Sequence, residues 1–197
     1  MLPKTLLQMA GANPAPAPIA SSALVLIDMQ MEYVDGGLPL PGAKPALAEA
    51  ARLLAKFRAS GRPVVHIQHK GRAGGLFDPD GPRFALAAEV AAKPGEHVLT
   101  KGLPNSFAGT GLDAALKETG VKNAVFVGFM THMCVSSTVR AALDLGYGAT
   151  VVAGACATRD LPDGQGSVIA AAALHKAELA ALADRFAVVV PDSNAIV

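Results

Sequence analysis

Beyond residue 20 the chain alternates between short, nearly continuous apolar runs and longer Ala-rich stretches whose apolar residues recur at helical spacing. Aliphatic and β-branched runs without polar alternation mark strands buried on both faces, as in a parallel sheet. Six such runs occur: Ala23 to Asp28, Pro63 to His69, His97 to Lys101, Ala124 to Met130, Ala149 to Ala153 and Phe186 to Val190. Between them the spacing predicts helices over Pro45 to Ser60, Gly111 to Thr119, Cys134 to Leu145 and Ser167 to Arg185. Gly61, Gly120 and Gly146 close the first three, as expected where a helix ends in a left-handed residue.

Strands alternating with helices predict an α/β protein, a three-layer α/β/α domain with a six-stranded parallel sheet in the Rossmann-like order 3-2-1-4-5-6. Residues 1–20, with the Pro/Ala run Asn13 to Pro18, read as an N-terminal tail, and 21–197 as one domain. The Gly- and Pro-rich stretch from Gly71 to Gly95 reads as a long loop over one end of the sheet.

Composition narrows the partners. With 51% hydrophobic residues and 17 basic against 16 acidic side chains, the chain is neither disordered nor basic enough to be expected on nucleic acid. No apolar run approaches the roughly 20 residues of a membrane-spanning helix, so no membrane partner is expected. Gln8 and Gly11 break up the N-terminal apolar patch, which argues against a signal peptide and for the cytoplasm. Cys134 and Cys156 are too few for a disulfide framework and read as thiols.

Ligands of an open parallel sheet bind beyond the carboxyl ends of its strands, so the polar residues that end apolar runs are informative. Asp28 ends the first run, Lys101 ends the third, and Cys134 stands where the chain leaves the fourth to begin a helix. There its sulfur would share space with free backbone N–H groups, a position that favours a thiolate. A free thiol, with a pKa of about 8.5, also benefits from a base and a cation. A unit positive charge about 4 Å away contributes roughly 4 kcal/mol at an effective dielectric of 20, enough to lower a thiol pKa by up to about three units. An ionised Asp28 opposes this, so the carboxylate is expected to accept the thiol proton as substrate arrives, the trio titrating as a unit. Lys101 must then reach across the second strand, since the third lies roughly 10 Å from the first.

These residues carry a resemblance. Asp28-Met29-Gln30 with Tyr33, Lys101 with Ser106-Phe107 and Thr110-Gly111-Leu112, and Gly128 through Val135 with Ala141 and Leu145-Gly146-Tyr147 resemble the isochorismatase-like cysteine hydrolases, in order and spacing. The resemblance, from about Ala23 to the C-terminus, implies a catalytic triad of Asp28, Lys101 and Cys134 that hydrolyses C–N bonds of small amides or ureides without a cofactor. It also implies a cis peptide before Met130, an oxyanion hole of the Met130 and Cys134 N–H groups, and a homo-oligomer, dimer or tetramer.

Around this core, Gln30, Tyr33, His69, Phe107 and His132 are candidate substrate contacts, and Phe77 a candidate pocket wall. No arginine cluster marks a strongly anionic ligand. The nicotinamidase branch of the family carries a metal site after strand two that His66-Ile67-Gln68-His69 does not reproduce, and residues three apart on a strand point to opposite faces. No metal is therefore expected. Family members often carry an acidic residue where this chain has Gly154, which puts any contact there in doubt. Cys156 reads as a small apolar filler and His175 as a packing or capping residue. Two alternatives stay open: a vinyl-ether hydrolase of the isochorismatase type, with Asp28 as acid and the thiol dispensable, and a non-catalytic small-molecule binding protein.

Overall fold

The computed structural model describes residues 2–12 and 15–197. Its sheet is built from β1 (Ser22–Ile27), β2 (Val64–His69), β3 (His97–Lys101), β4 (Asn123–Phe129), β5 (Gly148–Ala157) and β8 (Val188–Val190), all parallel, in the order β3-β2-β1-β4-β5-β8. Two short strands, β6 (Leu161–Pro162) and β7 (Val168–Ile169), pair antiparallel outside it. The helices are α1 (Leu6–Met9), α2 (Ala43–Ala59), α3 (Leu112–Glu118), α4 (Ser136–Asp144) and α5 (Ala171–Arg185).

Alternate residues of each strand feed opposite layers. Leu24 and Leu26 of β1 pack with Val125, Val127 and Val152 against the stripe Leu47, Ala50, Leu54 and Phe57 of α2. Val25 and Ile27 pack with Phe126 and Val151 against Leu112 and Leu116 of α3, Val139 of α4 and Leu182 of α5. Each face thus buries one apolar set, giving the three layers expected from the sequence.

The details depart from that expectation in four places. β3 is an edge strand, so His97, Val98 and Thr100 are exposed instead of buried on both faces. The residues predicted to open the last helix enter β7 instead, and α5 starts at Ala171. The helix predicted from Cys134 is preceded by a π-helical turn over Thr131–Val135, and α4 proper begins at Ser136. The N-terminal tail holds the one-turn α1, opened by a capping box of Thr5 and Gln8, with the Leu6 N–H donating to Asp184 of α5 at 2.8 Å. Asn13 and Pro14 of the Pro/Ala run lie outside the described residues. Among those described, no helix is long and apolar enough to cross a membrane.

Gly128 places β4 against β1. It has φ +132°, and a Cβ there would stand 2.0 Å from the Ile27 carbonyl oxygen. Neither the backbone angle nor the space admits a side chain. Gly128→Ala is expected to cost about 4 kcal/mol or more, lowering Tm by roughly 10 °C in a chain of this size, checked by thermal unfolding. An unchanged Tm would show that β1 and β4 can separate without loss.

Candidate active site

Asp28 follows β1 directly, in a left-handed conformation with φ +51°, its N–H donating to Ile67 of β2 at 3.0 Å. Such a φ costs an L-residue roughly 1–2 kcal/mol, least for Asp and Asn. Lys101, the last residue of β3, is paired in register with His69 of β2. Its side chain spans the end of β2, and Nζ comes 2.7 Å from Asp28 Oδ2, with both side chains fully buried. The same Nζ donates to Cys134 Sγ at 3.3 Å. The sequence requirement that Lys101 reach across one strand is met by register and side-chain length.

Cys134 lies in the turn Thr131–Val135, just after the Phe129–Met130 peptide, which is cis. The Met130 carbonyl accepts from the N–H groups of Met133 and Val135, and Met130 itself is buried. Behind the turn, the Thr138 hydroxyl donates to the Cys134 carbonyl at 2.7 Å and accepts from the Ser106 hydroxyl at 2.9 Å and from the Ser106 N–H. This ties the segment after Lys101 to the turn of Cys134. Ser106 belongs to the sequence pattern, but its partner Thr138 could not be read from it.

The protonation state is set by burial. Burial pushes the Cys134 thiol up to about 12; the Asp28 charge acts in the same direction and Lys101 opposes both. The site at rest therefore holds a thiol, because desolvation of a thiolate outweighs one ammonium that is already shared with a carboxylate. Burial likewise pushes Asp28 up to about 6, with Lys101 holding it back. Lys101 and Cys134 are the side chains that hydrogen-bond the carboxylate. The Cys134 contact gives the thiol proton a direct route to the carboxylate.

The other candidate contacts divide. The Tyr33 ring lies 4.9 Å from Phe77 and 5.6 Å from Phe129, centre to centre, and burial raises its phenol above the ordinary range. His69 packs edge-on against Phe77 at 5.2 Å, and its Nδ1 is 3.4 Å from Lys101 Nζ. Burial first, then Lys101, lowers its ring to about 4, so the imidazole is neutral at pH 7. Because the ammonium can only donate, Nδ1 is the acceptor and Nε2 carries the hydrogen.

Gln30 is a different case. Its amide donates to the carbonyls of His69 and Phe84 and accepts from the His69 N–H. Gln30 is consumed in holding the long loop to β2 and has no group left for substrate, which corrects its assignment as a substrate contact. Glu32 assists by accepting from the N–H groups of Gly37 and Phe77. Phe107 stacks on Tyr147 at 6.0 Å, centre to centre. His132 Nδ1 is bonded to the Thr158 hydroxyl, and its buried Nε2 has no partner.

His66 and His69 diverge, His66 meeting Glu96 at 2.9 Å. Among the described residues no group of three or more His, Cys, Asp or Glu could hold a metal ion. Cys156, facing Gly128 in register, is raised to about 12 by burial, as befits an inert filler. At Gly154 the N–H donates to the Pro191 carbonyl, and a Cβ would stand 3.0 Å from that oxygen. His175 bonds Thr131 at 2.9 Å, a tie from α5 to the turn. A cleft of about 590 Å³ among Arg58, Lys93 and His97 lies at the amino end of β3, the opposite end of the sheet from Lys101.

A doubly wound parallel sheet that gathers a carboxylate, an ammonium and a thiol at its carboxyl ends has the layout of an α/β enzyme of hydrolase type. The model of the Isochorismatase domain matches residues 22–192, and the chain belongs to the isochorismatase family. It is similar to the crystal structure of an isochorismatase from Pseudomonas putida KT2440, at 42% identity and TM-score 0.94 with all of both chains covered. It is 38% identical to the secreted isochorismatase effector Isc1 of Verticillium dahliae, over 94% of this chain and 96% of that protein. N-carbamoylsarcosine amidase from Thermoplasma acidophilum is similar at 26% identity and TM-score 0.73, covering 88% of this chain and 97% of that one.

Proposed function

We propose that the protein hydrolyses the C–N bond of a small amide or ureide through a thioester on Cys134. The observation that carries this reading is the placement of one ammonium, Lys101 Nζ, 3.3 Å from a buried thiol and 2.7 Å from a buried carboxylate. The similarity to an amidase of the same family supports it.

In this mechanism Cys134 Sγ attacks the carbonyl carbon while its proton passes to Asp28. The carbonyl oxygen becomes an oxyanion held by the N–H groups of Met130 and Cys134, donors of a kind that commonly contribute about 3–4 kcal/mol. Asp28 then protonates the leaving nitrogen, which departs as ammonia or an amine and leaves the thioester. Water attacks the thioester carbonyl as Asp28 removes its proton, and the thiolate leaves and recovers that proton. Lys101 balances the charge on the carboxylate and the sulfur throughout. His69 offers its Nε2–H to the substrate, with Tyr33 and Phe77 forming an apolar wall.

A second reading rests on the raised Asp28. A buried carboxyl near 6 is also suited to protonating a vinyl ether, as in an isochorismatase-type reaction, with the thiol uninvolved.

The amide reading is tested with a panel of small amides and ureides, measuring ammonia release. Asp28 must be ionised to accept the thiol proton, and its raised pKa puts that ionisation at about pH 6. The rate is therefore expected to fall as pH drops through about 6. Mass spectrometry of acid-quenched reactions should find the acyl group on the Cys134 peptide. A rate flat from pH 5 to 7 together with no adduct would remove the proposal.

A further inference from the structure

Lys101 ends β3, which pairs with β2 on one side and, among the described residues, with no strand on the other. The Lys101 carbonyl accepts from the Lys70 N–H at 2.8 Å, and then Gly102, Leu103 and Pro104 run exposed. An edge strand with an exposed exit has few contacts to fix it, and such segments open locally at low cost. The Lys101 ammonium must nevertheless be kept at 3.3 Å from the Cys134 sulfur. Its ion pair with Asp28 constrains Nζ but does not tie the chain after Lys101 to the turn of Cys134.

The first fully buried residue after Lys101 is Ser106. Both of its donors, the N–H at 3.0 Å and the hydroxyl at 2.9 Å, end on one atom, Thr138 Oγ1 of α4. Thr138 is also fully buried, and its own hydroxyl hydrogen goes to the Cys134 carbonyl at 2.7 Å. A threonine hydroxyl has one hydrogen and two lone pairs, so this one is saturated and its direction is fixed. A helical threonine often bonds the carbonyl four residues back merely to satisfy itself. Here the same oxygen takes two further donors from a residue 32 positions earlier, which turns a local bond into a crosslink. On the other side of Ser106, the Thr110 hydroxyl donates to its carbonyl and accepts from the N–H of Leu112, the first residue of α3. A chain of hydroxyls thus runs from the start of α3 to the backbone of the nucleophile, its members polarising one another.

We infer that Thr138 is a positioning residue whose hydroxyl, clamped by Ser106, holds the exit of β3 against the Cys134 turn and so sets the approach of Lys101 Nζ to Cys134 Sγ. This inference rests on the Cys134 reading of the site and adds the element that keeps its ammonium in place. With the clamp gone, Lys101 relaxes toward Asp28, its partner at the shorter distance of 2.7 Å, and away from the sulfur. Because Lys101 is what opposes burial at the thiol, the sulfur then ionises less readily.

Three variants of the full-length protein test this: Thr138→Val, which keeps the shape and removes the hydroxyl, Thr138→Ser, which restores it, and Ser106→Ala. Alkylation by iodoacetamide, followed on the Cys134 peptide by mass spectrometry well below each variant's Tm, needs no substrate. Thr138→Val is expected to react about tenfold more slowly than the parent, the equivalent of about one pKa unit at the sulfur. Thr138→Ser should lie within about twofold of the parent, and Ser106→Ala in between, since its N–H still reaches Thr138. A hydroxyl that only stabilised the fold would act the other way, because a loosened turn exposes the sulfur and speeds alkylation. Unchanged or faster alkylation in Thr138→Val, or a serine variant as slow as the valine, would overturn the inference. In turnover of a small amide, Thr138→Val should lower kcat by about 30-fold or more and leave KM within about threefold, since a reacting group is displaced and substrate contacts are not. Ser106 acts through Thr138, so the double variant should be no slower than Thr138→Val, and a further multiplicative loss would also overturn the inference. Were Thr138→Val not to fold, Ser106→Ala decides alone, slower alkylation supporting the clamp and parent-like alkylation removing it. A parent that hydrolyses no amide while the alkylation pattern holds leaves the clamp standing and removes the amide activity. Amide hydrolysis by the parent with unchanged alkylation in the variants does the reverse.

Discussion

Cys134→Ala is expected to lower kcat/KM for amide hydrolysis by about 10⁴-fold or more, because among the described residues no other nucleophile meets both Lys101 and Asp28. The folded protein should survive the change. Cys134 is buried, but the substitution removes only a sulfur atom from a turn held by Thr138 and by the Met130 carbonyl. Circular dichroism and a Tm close to that of the parent would show that lost activity is lost chemistry. Ammonia release and the acyl adduct should vanish together. Hydrolysis that persists in the alanine variant would reject the thioester route and favour the vinyl-ether reading, in which the sulfur has no part.

Asp28→Asn should act on both activity and stability. The amide cannot accept the thiol proton, so kcat is expected to fall by about 10³- to 10⁴-fold. It also leaves the fully buried Lys101 ammonium without its counter-ion, which typically costs about 3 kcal/mol. The two effects can be separated with Asp28→Asn/Lys101→Met, which removes the buried charge along with its partner. Denaturant unfolding of this double variant should recover most of the lost stability, while activity stays absent. An Asp28→Asn enzyme within tenfold of the parent in kcat would mean that the proton goes elsewhere.

The strands and the three central residues were readable from the sequence for the same reason. A strand buried on both faces must be apolar throughout, so its end is marked by the first polar residue, and in this topology those ends are where a site forms. Asp28, Lys101 and Cys134 all stand at such ends or just beyond. Gly61, Gly120 and Gly146 marked helix ends equally well, each with a positive φ. The start of α5 was misread because Ser167 to Ala170 have helix-compatible neighbours, and only the pairing of β6 with β7 draws them into a hairpin.

Gln30 shows where sequence reasoning stopped. A glutamine two residues after the carboxylate looks like a ligand contact until His69 and Phe84 are seen to consume its amide. The thiol's state is of the same kind, since the burial that raises Cys134 comes from layers of helix and loop distant in the chain.

By itself, then, the sequence determined the layered α/β architecture, the strand order and the identity of the three groups at the carboxyl ends, because each is written in local runs of apolar residues and the points where they stop. The tertiary structure decided that the sulfur rests as a thiol and that Gln30 serves the loop. Desolvation and hydrogen-bond satisfaction are sums over everything that packs around a group, and those neighbours are brought together only by the fold.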